Sequence, residues 1–414
     1  MKYFAIILAI LISSGSVKAQ WHSLQGFAQP YHFGGLEVDL SPDNSLYVAS
    51  RYAEGPHQYW SYLYKSNNGG ESWSSIYYSS YTSTFLIDCI GPNQLVFSNT
   101  DQVNTNFEIS SDDFNTYTIV PGCDGAPAAM SFVNLNFGVF TRSFGPSEAI
   151  GVVNEGEVSL YPIDTLQFVF SAVQSLSDSI AFVLCRDTHA PYYNLSRNNL
   201  VLRTLDGGTN WTIFYSSELY NISHFYFSSA EEGILVGQGG GILSTTDAGA
   251  NWITENSGTD LDINHITSRN GLFFCAGKGG LILRKNAGET NWEDISYGSS
   301  DYRKIMVDSN LIGYLLTTND QILRSDYILE TANWPYLEDV RIYPNPTSDF
   351  LTIEIPPDNN NSIIEIINIQ GVVVKKLRVS DYNQRLDVRN LSNGLYIIKV
   401  LSDKGIRVAK MIKR

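Results

Sequence analysis

The stretch TTDAGANW, Thr245 to Trp252, places a carboxylate, a flexible glycine and an aromatic side chain within eight residues. Two kinds of chemistry fit it. Asp247 is either a catalytic or metal-binding carboxylate, or the acceptor that holds a tight turn. In a turn, Asp and Ser/Thr side chains bond nearby backbone amides, Gly supplies positive φ, and Trp covers the apolar side of the hairpin.

The pattern Ser/Thr-x-Asp-x-Gly-x-x-Trp recurs along the chain, which favours the turn. A copy at Arg284 to Trp292 has one extra residue, and a copy at Ser110 to Tyr117 lacks the Gly and the Trp. An active site needs one constellation, and one carboxylate per turn falls short of the about six to eight oxygens around a hard cation. We therefore interpret these boxes as structural, with no catalytic or metal-binding role. The box residues are Ser66, Asn68, Gly70 and Trp73; Thr204, Asp206, Gly208 and Trp211; Thr245, Asp247, Gly249 and Trp252; and Trp292.

The spacing of the boxes predicts the elements that carry them. Trp211, Trp252 and Trp292 are separated by 41 and 40 residues, and the chain is rich in Tyr (25) and Phe (20). A period of about 40 to 45 residues in a strand-rich chain is typical of four-stranded propeller blades. We predict an all-β propeller with each box between a third and a fourth strand. Strand triplets favour seven blades, with six or eight as alternatives, closed by the N-terminal segment Trp21 to Leu24.

The boxes resemble Asp-boxes, also called BNR repeats. Residues 231–252 and 271–292 are similar to repeats of photosystem II assembly-factor-type propellers, and the resemblance spans residues 20–335. It implies architecture rather than activity, because the same box occurs in sialidases and in some xyloglucan-cleaving glycosidases.

The first 19 residues predict export. Lys2 precedes an apolar run from Phe4 to Ile12, and small residues lead to Ala19. This order is typical of a secretory signal peptide, with cleavage expected after Ala19. No later segment has the about 18 consecutive apolar residues of a membrane span. We expect no transmembrane segment in the mature chain.

The chain changes character after Trp334, and residues 336–414 predict a small immunoglobulin-like β-sandwich. Its ordered motifs resemble the type A C-terminal sorting domain of the type IX secretion system. The resemblance implies a Bacteroidetes-type bacterium, passage from the periplasm across the outer membrane, and release or attachment at the outer cell surface. It also implies the secretion machinery and a sortase-like peptidase as partners. The motif residues are Tyr343, Pro344, Asn345, Pro346, Gly371, Gly394 and Tyr396, followed by the basic end Lys410 to Arg414.

Charge and cysteine content exclude several classes. The net charge of the chain is −15. Residues 338–414 contain 12 basic and 9 acidic residues and have a net charge of +3, so the rest of the chain has a net charge of −18. Such acidity disfavours nucleic acid as a partner, since phosphate binding needs clustered Lys and Arg. We expect no cofactor and no metal, because dinucleotide and phosphate-loop motifs are broken and CxxC is missing. Cys89 and Cys123 are the candidate pair for a disulfide.

A candidate ligand surface lies opposite the boxes, at the connections between second and third strands. These loops are long at 51–60, 142–149 and 186–199 but minimal at Gly237 to Gly240 and Gly277 to Gly280. Arginines at strand ends with nearby aromatics suit an anionic or sugar-like ligand. The alternative, that each Arg pairs with a local acid such as Glu54, Glu148 or Asp187, stays open. The predicted ligand-binding residues are Arg51, Tyr52, His57, Tyr59, Trp60, Arg142, Arg186, His189, Tyr192 and Tyr193.

Two function classes follow. The first is an exported, non-catalytic binding propeller whose ligand is a glycan or a protein. The alternative is a secreted glycoside hydrolase, sialidase-like or glucan-cleaving, which would need two suitably spaced carboxylates or an activated Tyr with an arginine triad. The sialidase motif Phe/Tyr-Arg-Ile-Pro is missing near the start of the propeller, and the only similar string, VRIYP, belongs to the tail.

Overall fold

A computed structural model describes residues 21–26, 35–55, 58–80, 84–100, 104–142, 149–162, 168–187, 199–217, 221–325, 340–354, 362–368, 373–379, 383–402 and 405–414. The chain forms two compact units, one within residues 18–330 and one within residues 331–414. Both are built from β-strands. Within these ranges, no helix has the length and apolarity needed to cross a membrane.

Seven four-stranded antiparallel sheets follow one another in the first unit, and six of them are consecutive in sequence. The first strand of the chain, β1 (Trp21–Ser23), belongs to the last sheet. Blades 1 to 4 are formed by β2 (Leu36–Leu40), β3 (Leu46–Gly55), β4 (Gln58–Ser66) and β5 (Ser74–Ser80); β6 (Thr84–Gly91), β7 (Gln94–Thr100), β8 (Asn104–Ser110) and β9 (Thr118–Asp124); β10 (Pro127–Phe132), β11 (Phe137–Arg142), β12 (Ala149–Asn154) and β13 (Glu157–Pro162); and β14 (Phe168–Ser175), β15 (Ala181–Asp187), β16 (Asn199–Thr204) and β17 (Thr212–Ser217).

The later blades have shorter strands. Two 3₁₀ turns, Gln238–Gly240 and Lys278–Gly280, join their second and third strands. Blades 5 to 7 are formed by β18 (Ile222–Phe227), β19 (Gly233–Gly237), β20 (Ile242–Thr245) and β21 (Ile253–Glu255); β22 (Ile263–Arg269), β23 (Leu272–Gly277), β24 (Ile282–Asn286) and β25 (Glu293–Asp294); and β26 (Tyr302–Val307), β27 (Gly313–Thr317) and β28 (Ile322–Ser325) with β1.

The N-terminal strand closes the ring. Strand β1 pairs antiparallel with β28, Trp21 opposite Ser325, and so supplies the fourth strand that blade 7 would otherwise lack. Closure of this kind ties the two ends of the propeller sequence together and removes an exposed sheet edge. The predicted seven-bladed all-β propeller and its closing strand are both confirmed.

The core lies between blades. In β3, Leu46 and Val48 belong to a cluster shared with blade 7, whereas Tyr47 and Ala49 belong to one shared with blade 2. Successive side chains of a strand point to opposite faces of its sheet. Each inner strand is therefore buried on both faces and reads as a continuous apolar run, such as LYVA.

The boxes are turns held by their own side chains. The Thr245 hydroxyl accepts from the Gly249 amide (3.0 Å) and donates to Asp247 Oδ1 (2.9 Å). Asp247 also accepts from the backbone and side-chain amides of Asn251 (2.9 and 2.7 Å). The same bonds recur at Thr204 to Asn210.

The divergent copy at Ser110 to Tyr117 keeps this geometry without its glycine. The Ser110 hydroxyl accepts from the Phe114 amide at 2.9 Å, and Asp112 accepts from the Thr116 amide at 2.8 Å. Phe114 itself holds a φ of 61°, which is uncommon for a bulky residue. The side-chain bonds therefore impose the turn even where the residue type resists it.

Box aromatics reach the preceding blade, which differs from the expected cover over their own hairpin. Trp252 of blade 5 meets Phe214 and Tyr215 of blade 4, with ring centroids 5.9 and 5.0 Å apart. Trp211 packs into the cluster between blades 3 and 4. The box thus joins blades as well as strands, because the gap between two twisted sheets at this rim is wide enough for an indole.

The C-terminal unit is a two-sheet sandwich, as predicted. One sheet orders β29, β30 and β33, and the other orders β32, β31, β34 and β35. Their inner faces share one apolar core that includes Leu351, Ile353, Ile364, Ile366 and Ile398. The strands are β29 (Arg341–Tyr343), β30 (Phe350–Glu354), β31 (Ser362–Asn368), β32 (Val373–Val379), β33 (Asn383–Asp387), β34 (Gly394–Ser402) and β35 (Gly405–Lys413).

The first and last motifs of this unit bind each other. Asn345 accepts from the Ile412 amide at 2.9 Å and donates to the Lys410 carbonyl. The Thr347 amide donates to the Ile412 carbonyl, and the Arg414 amide to the Thr347 carbonyl, both at 2.9 Å. Gly371 lies outside the described residues, whereas Gly394 starts β34 and the Tyr396 hydroxyl donates to the Ser392 carbonyl at 2.8 Å.

Gly208→Ala should destabilise the propeller more than Gly156→Ala. Both glycines hold similar positive φ (90° and 84°), but a Cβ at Gly208 would lie 2.5 Å from Val152 of blade 3, whereas one at Gly156 meets nothing within 4 Å. We expect about 1–2 kcal/mol for the φ strain alone and about 1–3 kcal/mol more at Gly208. Urea unfolding of both variants measures the difference, and equal losses would contradict the blade contact.

Asn345→Ala should loosen the end of β35. The variant removes the acceptor of the Ile412 amide and the donor to Lys410, so amide exchange in the 406–414 peptide should accelerate about fivefold, as expected for a lost bond of about 1 kcal/mol. Hydrogen exchange by mass spectrometry measures this. Asn390→Ala, at an exposed position of the same unit, is the control. Unchanged exchange in the Asn345 variant would refute the clamp.

Candidate functional site

The two ends of the propeller differ. We call the end that carries the boxes the box rim, and the opposite end, with the connections between second and third strands, the loop rim. A common level of the loop rim can be defined in each blade by the second-strand residue that pairs with the first residue of the first strand. These residues are Ser50, Gly237, Gly277 and Thr317 in blades 1, 5, 6 and 7. Strand β3 continues for five residues beyond this level, to Gly55. At about 3.3 Å per residue, the second strand of blade 1 extends about 16 Å past the level at which the second strands of blades 5 to 7 end.

Carboxylates brace the short loop-rim turns of blades 5 and 6. Asp262 accepts from the Gly239 amide (2.9 Å) and pairs with Lys278 (2.7 Å). Asp301 accepts from the Gly279 amide at 2.8 Å. Gly239 and Gly279 hold φ near 60°, so each carboxylate caps a left-handed turn of the preceding blade. These turns are consequently short and fixed.

The predicted arginines occupy equivalent levels but different surroundings. Each lies five residues after the start of its second strand, in β3, β11 and β15. Arg51 and Arg186 are half-buried. Arg142 is only 5% exposed, and its Nη1 donates to the Asp124 carbonyl at 3.4 Å. Burial raises the pKa of the Cys123 thiol, and Arg142 opposes that rise. Arg142 therefore contacts blade 2 rather than an open surface.

The hairpin of blade 1 brings several predicted residues together. In the pairing of β3 with β4, Arg51 lies opposite Ser61 and Tyr52 opposite Trp60. The side chains of Tyr52 and Tyr59 are outside the described part, and so are His57, His189, Tyr192 and Tyr193 altogether. Their part in binding stays a prediction.

A central channel opens between the first strands of all seven blades. Its volume is about 510 Å³, and its walls include residues from Glu37 in blade 1 to Lys304 in blade 7. Side chains of the channel wall bond the next blade's backbone. Asp39 accepts from the Cys89 amide (2.8 Å), Asp88 from the Phe132 amide, and Ser131 from the Ser175 amide (3.0 Å).

The same contact continues around the ring. Gln174 accepts from the Phe227 amide (2.8 Å) and donates to its carbonyl (2.9 Å). Arg303 donates to the Leu36 carbonyl across the closing junction. Polar side chains in the channel therefore hold consecutive blades together.

Charge is concentrated on one arc of the channel. Lys304 Nζ lies 3.0 Å from Glu37 Oε1 and 3.9 Å from Asp39 Oδ1. Burial lowers the pKa of Lys304, but Glu37, Asp39 and Asp88 outweigh it and raise the pKa overall. Burial and the neighbouring Asp39 raise the pKa of Asp88 to about 7. Burial also raises the pKa of Asp39, despite the opposing charge of Lys304.

Two histidines extend this arc into blades 5 and 6. The His224 and His265 rings lie 4.0 Å apart between centroids. Burial, followed by the charge of Lys304, lowers the pKa of His224 to about 4. Burial, then His224, lowers the pKa of His265 well below its ordinary value. Both rings are therefore neutral near pH 7. The described residues contain no group of three or more His, Cys, Asp or Glu arranged for a metal ion.

Sequence reasoning missed this channel. Its signal is a polar residue at the third position of three successive first strands, His224 in ISHF, His265 in INHI and Lys304 in YRKI. Aligning blades by their boxes would have exposed it. The cysteines give no disulfide, since Cys89, Cys123, Cys185 and Cys275 all carry free thiols.

The box carboxylates are engaged within their own turns. Asp247 is a hydrogen-bonded acceptor within its own turn, and the side-chain amide of Asn251, then its backbone amide, lower the pKa of Asp247. The same cause lowers the pKa of Asp206. An ionised carboxylate with its oxygens engaged this way is suited to hold a turn rather than to transfer protons.

Comparison with known proteins agrees with both units. Residues 341–414 match the family model of the secretion system C-terminal sorting domain. Among solved structures, YCF48 from Cyanidioschyzon merolae is similar at 16% identity and a TM-score of 0.52, over 74% of this chain and 99% of that one. A chain of the mitotic checkpoint complex is similar at 10% identity and a TM-score of 0.52, over 75% and 95%. No curated protein sequence matches the chain.

The chain is therefore a β-propeller followed by a type IX secretion C-terminal sorting domain. The sorting domain implies export to the cell surface or secretion, and contact with the secretion machinery. The similarities to solved propellers are too low in identity to carry more than the fold.

Asp88→Asn should change how stability depends on pH. The folded-state pKa of Asp88, about 7, lies above its ordinary value of 3.8. The stability contributed by its proton is therefore complete below pH 3.8 and is lost as pH rises to about 7. Asparagine keeps an acceptor for the Phe132 amide but does not titrate. Relative to the wild type, the free energy of unfolding of the variant should therefore increase by a few kcal/mol as pH rises across this window.

Urea unfolding at several pH values measures that difference. Asp260→Asn, at an exposed carboxylate of the same propeller, is the matched control and should give a flat difference. Parallel pH profiles for Asp88→Asn and wild type would contradict the assignment of this carboxyl to the charged arc.

Proposed function

We propose that this protein is an exported, non-catalytic binding propeller that captures a glycan or a protein on its loop rim. The observation that carries the proposal is the asymmetry of that rim. Blade 1 carries a projecting hairpin with Arg51 and Trp60, whereas blades 5 and 6 have short, braced turns, and a polar channel lies between the blades. Pockets framed by polar groups and aromatic side chains suit ligand recognition.

The engagement of the carboxylates supports binding over catalysis. In the channel, Glu37 pairs with Lys304, while Asp39 and Asp88 accept from backbone amides of the next blade. Hydrolysis of a glycoside needs two carboxyl groups free to serve as acid and as base or nucleophile. The raised pKa of Asp88, about 7, is the one feature that favours the alternative, a secreted glycoside hydrolase.

The rest of the proposal concerns delivery. We propose that residues 1–19 are a signal peptide removed on entry to the periplasm, that the boxes are Asp-boxes, and that the source is a Bacteroidetes-type bacterium. A sortase-like peptidase would then remove residues 336–414 at the outer membrane. The motif order of the tail and its match to the sorting family support this route.

Binding of the full chain to glycan and peptide arrays tests the function. We expect Arg51→Ala with Arg186→Ala to weaken binding about tenfold or more, as for lost charged contacts of about 1.5 kcal/mol or more. Arg269→Ala, a half-buried arginine at the box rim, should bind like the wild type. Thermal unfolding checks that the variants fold.

Two results would overturn the proposal. Binding to neither array, or equal losses for the loop-rim and box-rim variants, would refute a recognition surface at the loop rim. Hydrolysis of sialosides or β-glucans that is lost in Asp88→Asn would support the glycoside hydrolase instead.

A further inference from the structure

A row of aromatic side chains leaves the core and continues onto the projecting hairpin. Tyr64, Tyr62, Tyr78 and Trp60 follow one another in space, with ring centroids separated by 6.1, 6.4 and 6.4 Å. The planes of neighbouring rings differ by 26° to 37°. We call these four residues the aromatic row.

Strand alternation sets the direction of the row. Tyr64, Tyr62 and Trp60 alternate along β4 with Ser61, Leu63 and Lys65, which lie on the other face, and Tyr78 of β5 pairs with Tyr62. Tyr64 packs on the cluster between blades 7 and 1. The row therefore starts in that interface and runs along the blade-7 side of blade 1.

The outer part of the row reaches the surface of blade 1, because Tyr78 lies on the outermost strand of its sheet. Ser50 corresponds to Thr317, the last residue of β27 in blade 7, and pairs with Tyr62, so Trp60 lies two residues beyond that level along β4. Tyr78 is 65% exposed, although it is a large aromatic side chain.

We propose that the aromatic row is a stacking platform for one chain of an uncharged polysaccharide. This inference rests on the proposed function and specifies its ligand. Sugar rings present an apolar face that stacks on aromatic rings, and hydroxyls that take up hydrogen bonds from side chains and water. The row supplies three tyrosine hydroxyls with its rings and has no charged member.

The shape of the row distinguishes a linear glycan from a folded protein partner. A stable protein interface covers about 800 Å² on each side, and four rings in single file on two strands form a narrow strip instead. An extended peptide that binds by adding a strand to a sheet needs a free strand edge for its backbone bonds. Strand β4, which carries three of the four rings, is paired on both sides, with β3 and β5, so these three rings lie on a sheet face without free backbone groups, and the unpaired edge of the sheet belongs to β5.

Affinity electrophoresis of the full chain in gels containing hydroxyethylcellulose, galactomannan, xylan or dextran tests the platform. We expect retardation by at least one of these, and about tenfold weaker binding for Tyr78→Ala and for Trp60→Ala, as for a lost ring contact of about 1.4 kcal/mol. Tyr117→Ala, a 45% exposed tyrosine at the box rim, should bind like the wild type. The exposure of Tyr78 keeps its variant foldable, and thermal unfolding checks Trp60→Ala.

The outcomes distinguish failure of the polysaccharide platform from failure of the loop-rim function. If a polysaccharide binds and the row variants match the wild type while the Arg51 and Arg186 variant fails, the platform is refuted and the loop-rim function stands. If no polysaccharide binds but the peptide array does, the glycan platform is likewise refuted and a protein ligand is supported. If the chain binds neither polysaccharides nor peptides, both the platform and the loop-rim function are refuted.

Discussion

Burial of every blade on both of its faces is the constraint on which this structure depends. A sheet whose inner strands are apolar on both sides, as β3 is with Leu46 and Val48 toward blade 7 and Tyr47 and Ala49 toward blade 2, cannot be stable alone. Each blade needs two neighbours, and only a closed ring provides them for all seven. The three residues of β1 therefore matter beyond their length, because they complete the blade at which the ring would otherwise open.

Buried charges reinforce particular blade junctions. Lys285 is 6% exposed and lies 2.7 Å from Glu255 of the preceding blade, which also accepts from the Trp292 indole at 2.7 Å. Lys65 similarly pairs with Asp113 across the junction of blades 1 and 2, at 2.7 Å. A buried pair contributes little net stability but is costly to break on one side. Such pairs consequently favour one order of blades over a shifted one.

The sequence predicted what is local and repeated, and it missed what is assembled across blades. Box spacing implied the blade period, since each box holds a turn with its own Thr, Asp and Gly, and WHSL was recognisable as an unpaired fourth strand. The reach of Trp252 to the preceding blade was not predictable from its own hairpin. The meeting of Lys304 with Glu37 joins residues 267 positions apart, and only ring closure brings them together. Burial of Arg142 depends likewise on a neighbour, Asp124, that its own strand does not reveal.

The same division supports the proposal that recognition belongs at the loop rim. At the box rim, the carboxylate oxygens of Asp206 and Asp247 accept hydrogen bonds from amides of their own turns. Redirecting these oxygens to a ligand would remove those bonds and destabilise the blade. Within the described part of the loop rim, Asp262 and Asp301 brace the turns of blades 5 and 6 in this way. The hairpin of blade 1 extends beyond the level that closure requires, and its length can vary without disturbing the ring. A propeller can therefore change its ligand at the loop rim while the box rim keeps the scaffold unchanged.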